Sequence, residues 1–244
     1  MQITYIGHSG FLIEWDYCYM LFDYFIGDIP KMDTNKKILI FASHKHQDHF
    51  NPKIFQLYDQ YENIEFVLSS DIRLNKDKLI KQGLKEEISD TILSVKPDNE
   101  YELYDNNNNR IILKTLSSTD CGVAFLLTYQ EKTLYHAGDL NLWAFKEESK
   151  QYNNNMTARF HKILEGLKDV SIDIAFAPLD PRQEEYYYLG LESLINTANV
   201  RYAFPMHFWD DPTIIDKFVN ERASHLNHTK IMDVNLSGQT WKID

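Results

Sequence analysis

The sequence predicts an α/β protein of two sheets packed face to face, with helices on their outer sides. Three observations predict it. Apolar residues make up 43% of the chain and aromatic residues 14%, enough for a large core and too many for a disordered chain. Short β-branched and aromatic segments fill residues 2–24 and 87–137, while helical patterns occupy parts of 51–83 and most of 142–224. A strand-rich stretch followed by a helical one, twice over, gives two halves that bury their apolar sheet faces against each other. With 244 residues, no repeat of fixed period and no Gly/Ser/Pro linker, one domain over 1–244 is expected.

Residues 2–6, 11–15 and 18–24 read as strands separated by Gly7-His8-Ser9-Gly10 and by Asp16. Residues 37–42 form the near-continuous apolar run of a buried strand, and Asn51-Pro52 then supplies a cap and a first-turn proline for a helix. A strand at 64–69 and an amphipathic helix over 71–83 follow. Residues 87–137 read as a series of strands with Asp105 through Asn109 as a polar turn. The helical pattern of 142–168 is interrupted at Asn153-Asn154-Asn155. Strand 172–177, helix 183–198, strand 201–204 and helix 211–224 continue the alternation, and the last segment returns to strand.

The 25 Lys and Arg against 36 Asp and Glu leave a net charge of −11, which repels a phosphate backbone and makes nucleic acid an unfavoured partner. Two cysteines, Cys18 and Cys121, are too few for a disulfide scaffold and fit a reducing, cytoplasmic compartment. No basic leader precedes an apolar run and no window is long enough to span a bilayer, so no membrane association is expected. The expected partner is a small-molecule substrate; oligomeric state is not legible.

Residues 43–50, Ser-His-Lys-His-Gln-Asp-His-Phe, place three imidazoles and a carboxylate in six positions directly after a buried strand. Imidazole and carboxylate suit zinc and other first-row divalent ions, and a strand-to-helix loop turns such side chains toward a shared pocket. A catalytic zinc usually takes three protein ligands plus water, so the rest of the chain must complete the site.

The motif resembles the H-x-H-x-D-H signature of the metallo-β-lactamase-fold hydrolases, and the opening Gly7-His8-Ser9-Gly10 resembles their lactonase-like branch. The resemblance implies a four-layer αββα sandwich. It also implies that His44 and His46 serve one metal while Asp48 and His49 serve a second. Tyr135-His136-Ala137-Gly138-Asp139 looks like the family's Gly-Asp element, making Asp139 the candidate bridging ligand. Phe204-Pro205-Met206-His207-Phe208 looks like the segment of the terminal metal-binding histidine, His207.

The chain departs from the family where a third histidine is expected. Leu116-Ser117-Ser118-Thr119-Asp120-Cys121-Gly122 contains none. Asp120 as an oxygen ligand and Cys121 as a thiolate are alternatives rather than partners, because adjacent side chains seldom face the same pocket; Asp120 is favoured, with Cys121 or no ligand in its place as the alternatives. An oxygen ligand there shifts metal preference toward manganese or iron, or leaves a single ion. His8 and Asp23 look like residues that orient metal-binding imidazoles, with ordinary turn roles as the alternative. His136 is a packed histidine or a pocket residue. Asp180-Pro181-Arg182 reads as a structural turn whose arginine can alternatively pair with a substrate anion. Trp143 and Phe145 either wall a pocket or face a core, and the Asn-rich 151–157 segment lies where a lid would. His161, His225 and His228 read as surface residues.

A divalent ion, one or two of them and zinc first among the candidates, lowers the pKa of bound water toward neutrality. The expected function is therefore hydrolysis of a small ester, lactone or phosphorylated metabolite by a metal-activated hydroxide, with Asp48 orienting it or relaying its proton. A nuclease or phosphodiesterase on the same fold, and a non-catalytic metal- or metabolite-binding descendant, remain as alternatives.

Overall fold

Two seven-stranded sheets form the centre of the molecule, and the computed structural model describes residues 1–244. The first sheet contains β1 (Gln2–Gly7), β2 (Gly10–Glu14), β3 (Cys18–Phe22), β4 (Lys37–Ala42), β5 (Ile64–Ser69) and β6 (Ile92–Val95), with the late β14 (Thr240–Lys242) beside β1. The second contains β7 (Glu100–Tyr104), β8 (Arg110–Ser117), β9 (Val123–Tyr129), β10 (Lys132–His136), β11 (Ser171–Pro178), β12 (Asn199–Met206) and β13 (Lys230–Ile231). Each sheet is antiparallel in one half and parallel in the other. β1 to β3 form a meander and β3 to β6 run parallel; β7 to β10 form a meander and β10 to β13 run parallel.

Alternation along the strands sorts side chains into two cores. Ile3, Phe11, Met20, Phe22 and Phe41 point between the sheets into a 51-residue cluster. Leu12, Leu21, Ile38, Ile40 and Phe66 point outward into a 16-residue cluster with Ile54, Phe55 and Leu79. The outer cover of the first sheet is the 3₁₀ segment Pro52–Asp59 and the short α1 (Lys76–Lys81). On the second sheet it is α2 (Lys150–Leu164), α3 (Leu189–Thr197) and α4 (Thr213–Arg222). Aromatic contacts tie the sheets together: Phe41 meets Phe125 at 5.4 Å, and Phe11 meets Phe176 at 4.4 Å.

Helix boundaries differ most from the sequence reading. The helix expected over 71–83 shrinks to Lys76–Lys81, because the Asn75 side chain caps it late by accepting from Lys78 N and Gly83 turns at φ +74°. The Asn-rich segment does not interrupt a helix but lies inside α2, which starts at the Ser149 cap. Asn153 belongs there because its carboxamide bonds both the N–H and the carbonyl of Phe145. The helix expected over 183–198 gives way to a 3₁₀ segment, Pro181–Tyr186, kinked at Glu184 with φ 50°, followed by α3 from Leu189.

Sheet polarity places the chemistry. β1, β3 and β4 run the same way in the first sheet, as do β8, β10, β11 and β12 in the second. His8, Asp23 and the His44–His49 loop follow the first three; Asp120, Asp139, Asp180 and His207 follow the other four. Side chains beyond the carboxyl ends of strands are where α/β sheets place their ligands.

Candidate metal centre

The His44–His49 loop leaves β4 through a tight contact that only glycine permits. Gly122, at φ +66°, lies so close to Ser43 that an added Cβ would stand 2.0 Å from the Ser43 carbonyl oxygen. Val123 N–H donates to that same carbonyl at 2.9 Å, so the β8–β9 turn is held against the loop. His8, Asp23 and His207 all have positive φ, at 56°, 39° and 63°. Three such non-glycine residues within one cluster mark backbone held in place by its surroundings.

All seven sequence-predicted site residues come together, in two groups within which the nitrogen and carboxylate oxygen atoms lie within 4.8 Å of one another. One group is His44, His46, Asp120 and Asp139; the other is His8, Asp48, His49 and His207. Asp139 faces both. Its Oδ2 is 3.4 Å from His44 Nε2, and its Oδ1 is 3.0 Å from His49 Nε2 and 3.4 Å from His207 Nε2. Asp120 lies 3.2 Å from His46 Nδ1, whereas Cys121 belongs to neither group.

Hydrogen bonding behind the imidazoles fixes which nitrogen faces forward. Asp23, fully buried, accepts from Ser43 N at 2.7 Å, from Ser43 Oγ at 2.6 Å and from His49 Nδ1 at 2.7 Å. Because Ser43 gives its one hydroxyl proton to Asp23, the 3.0 Å contact with His44 Nδ1 requires the imidazole to donate. His207 Nδ1 donates to Asp180 at 2.9 Å. His44, His49 and His207 therefore direct their Nε2 atoms at Asp139. His8 Nε2, His49 Nε2, His207 Nε2 and Asp139 Oδ1 are buried without a hydrogen-bond partner. Each unsatisfied buried group costs on the order of 1–3 kcal/mol, and a cation between lone pairs and carboxylates satisfies all four at once. The donor set fits one or two divalent ions.

The carboxylates and imidazoles of the cluster also favour each other's charged forms. Burial opposes ionisation of Asp139, yet the His49, His44 and His207 imidazoles outweigh it and hold the carboxyl well below its usual range. Burial likewise opposes a charge on His49, but Asp139 and Asp23 raise its pKa well above normal. Asp48 is held low, against its partial burial, by His8 and His49. Asp180 falls to about 2 because the bonds from His207 and Arg182 outweigh desolvation.

Supporting bonds converge on the loops of Asp120 and Asp139. Thr119 Oγ1 donates to Asn141 O at 2.6 Å, and Trp143 Nε1 donates to Asp139 O at 2.9 Å. Arg159 of α2 donates to Thr119 O at 3.0 Å and Ser118 O at 2.6 Å. The cleft above the centre has a volume of about 330 Å³; Trp143, Phe145, Tyr152, Met156 and Arg182 line it beside the metal-site residues. Thus Trp143 and Phe145 are wall residues, and the Asn-rich segment contributes through its helix.

Other candidates resolve individually. His136 is a packed histidine: Nε2 donates to Ser9 O at 3.0 Å, the ring stacks on Phe22, and burial lowers its pKa. His161, His225 and His228 are exposed. Two features exceed the sequence reading. His8 stands within the second group itself, and Asp180, read as a turn residue, also orients His207. The Gly7–Gly10 turn was the available signal for His8; for Asp180 the signal was a carboxylate following an apolar strand.

Comparison with known proteins accords with this geometry. Residues 2–154 match the family model described as "Beta-lactamase superfamily domain". The chain belongs to that superfamily. A UPF0173 metal-dependent hydrolase of Bacillus cereus (strain Q1) is 25% identical to this β-lactamase-superfamily chain, over 88% of each protein. Among solved structures, the novel metallo hydrolase Igni18 of Ignicoccus hospitalis superposes with a TM-score of 0.64 at 16% identity, covering 100% of this chain and 99% of the other. CmlA, a diiron β-hydroxylase of Streptomyces venezuelae, gives a TM-score of 0.62 at 11% identity, over 99% of this chain and 54% of that one. These likenesses show the shared superfamily fold.

Proposed function

We propose that this metal-dependent hydrolase of the β-lactamase superfamily, of its lactonase-like branch, acts on a small ester, lactone or phosphorylated metabolite. His44, His46, Asp120 and Asp139 would hold one divalent ion, and His8, Asp48, His49 and His207 the second, with Asp139 shared. The observation that carries this reading is the division of Asp139, one oxygen toward each group. When bound, such ions lower the pKa of water toward neutrality and polarise the bond under attack.

The chain's own residues supply the remainder. Asp23 and Asp180 hold His49 and His207 in the tautomer that presents Nε2 forward. Asp48 stands where the second group meets the cleft, with its side chain 24% exposed, so it can orient a water and pass a proton to solvent. Trp143 and Phe145 limit water access along one wall. With two carboxylates among four donors, the first group accepts manganese or iron as well as zinc. Both cysteines are free, which supports a cytoplasmic working place.

The test is reconstitution with zinc, manganese and iron, followed by metal analysis and an ester, lactone and phosphomonoester panel. Two retained ions per chain with turnover is the expected result. A chain that retains no divalent ion after reconstitution overturns the reading.

A further inference from the structure

Arg182 is the one lysine or arginine on a cleft wall that otherwise carries Asp48, Asp120 and Asp139. Its guanidinium is not free to wander. Nε donates to both Asp180 oxygens at 3.0 Å, Nη2 donates to Asp180 Oδ2 at 2.5 Å, and the fork lies 4.8 Å over the Trp209 ring. Nη1 has no protein partner, and the side chain is 55% exposed. A turn that needed arginine only to neutralise Asp180 would not require a cleft-lining guanidinium held on two sides. The arrangement leaves a pre-oriented donor edge, with little rotamer freedom still to lose on binding.

The opposite chemistry stands on the same wall. Trp143 and Phe145 lie with ring planes 5° apart, their centroids separated by 6.5 Å, and Met156 adds further apolar lining. Parallel rings favour a flat apolar body, whereas Arg182 favours a planar or tetrahedral anion.

We propose that Arg182 is the specificity-determining residue of the cleft, binding a carboxylate or phosphate group of a substrate whose flat apolar body lies against Trp143 and Phe145. This rests on the hydrolase reading above and narrows it to anion-bearing substrates. Arg182 recognises the anion through Nη1 while its other nitrogens remain on Asp180, so the substrate's anchor is held by the same carboxylate that orients His207. The pairing explains why an acidic chain keeps an arginine beside three carboxylates: without it, an anionic substrate would meet only repulsion until it reached the metal centre.

The experiment uses the metal-reconstituted full chain and three probes of similar size: phenylacetate, phenyl phosphate and the neutral phenylacetamide, titrated by calorimetry. The metal centre itself attracts anions, so the quantity read is the anion-to-neutral affinity ratio within each variant. In R182Q that ratio falls about tenfold or more, the effect of losing one charge-assisted hydrogen bond, while R182K, which keeps the charge and loses the fork, lowers it only severalfold. Whichever anion binds more tightly to the native chain identifies the group recognised. A parallel pair, 4-nitrophenyl acetate and 4-nitrophenyl hydrogen succinate, reads turnover, again as a ratio of kcat/KM within each variant. Metal content and melting temperature are measured alongside, and R182K serves as the variant if R182Q does not fold; its loss of the fork then lowers the ratio severalfold. An R182Q ratio equal to that of the native chain overturns the proposal. Absence of all turnover with the binding ratio still dependent on Arg182 overturns the hydrolase reading alone and supports the anion site.

Discussion

The two halves of the metal centre are built to different standards. In the second group His8, His49 and His207 are buried, and His49 and His207 each lean on a fully buried carboxylate, Asp23 or Asp180. In the first group His44, backed through Ser43, and Asp139 are buried, while His46 and Asp120 are 44% and 39% exposed and no buried carboxylate stands behind either. Outer hydrogen bonds set imidazole orientation and metal affinity, so the second group should hold its ion tightly and the first should exchange. Site strength therefore follows what stands behind the ligands as much as the ligands themselves.

The largest effect is expected where the groups join. Asp139→Ala removes a ligand from both, so metal analysis should show fewer than one ion per chain, with turnover falling by more than about 100-fold, the upper range for an outer-partner change. Retention of both ions would break the shared-carboxylate account. Next, Asp180→Ala releases His207 from its orienting bond. Competition with a chelator should show affinity weakened by roughly 10- to 100-fold for one ion and unchanged for the other. Loss at both ions would remove the distinction between the groups.

Asp120→Ala should release the weaker ion only, leaving one equivalent bound, and Asp120→His should strengthen zinc retention there relative to manganese. The same chelator titration reads both. The smallest effect on the centre is expected from Asp105, a buried carboxylate away from it that accepts from Tyr129 Oη, Asn107 N, Asn109 N and Asn109 Nδ2. Despite burial, these bonds depress its pKa. A depressed folded pKa means that stability is complete above the unfolded value of about 3.9 and is lost as pH falls through the folded value. Urea midpoints of the native chain should therefore decline below about pH 4 more steeply than those of Asp105→Asn, with metal content equal at pH 7. Identical acid profiles would contradict the assigned role.

Much of this was legible in the sequence because local signals and distant ones coincide at strand ends. The 37–42 apolar run predicted β4, and the histidines after it predicted half the centre, since a six-position cluster is a local signal. Asp139 and His207 were legible through their place after apolar runs, and the structure brings both to the His44–His49 loop. Alternation allowed only one of Asp120 and Cys121 to face the pocket without saying which, and the Asp120 carboxylate is the one that meets His46. Helix limits were less legible. Leu79 is the one buried residue of α1, so periodicity over 71–83 had little packing to enforce it. Asn153 looked like a breaker because its partner, the Phe145 backbone, is a tertiary contact that propensity does not encode. Asp180 concealed its role for a related reason: a turn beside arginine is visible locally, whereas His207 stands 27 residues away in the chain.

The most direct test of a two-ion centre divided by Asp139 is an anomalous-difference map from crystals of the metal-reconstituted protein. The account predicts two peaks roughly 3.5–4 Å apart, one on each side of the Asp139 carboxylate, with the higher occupancy at His8, Asp48, His49 and His207. A map with no peak beside Asp139, or with its peaks away from both groups, would contradict it.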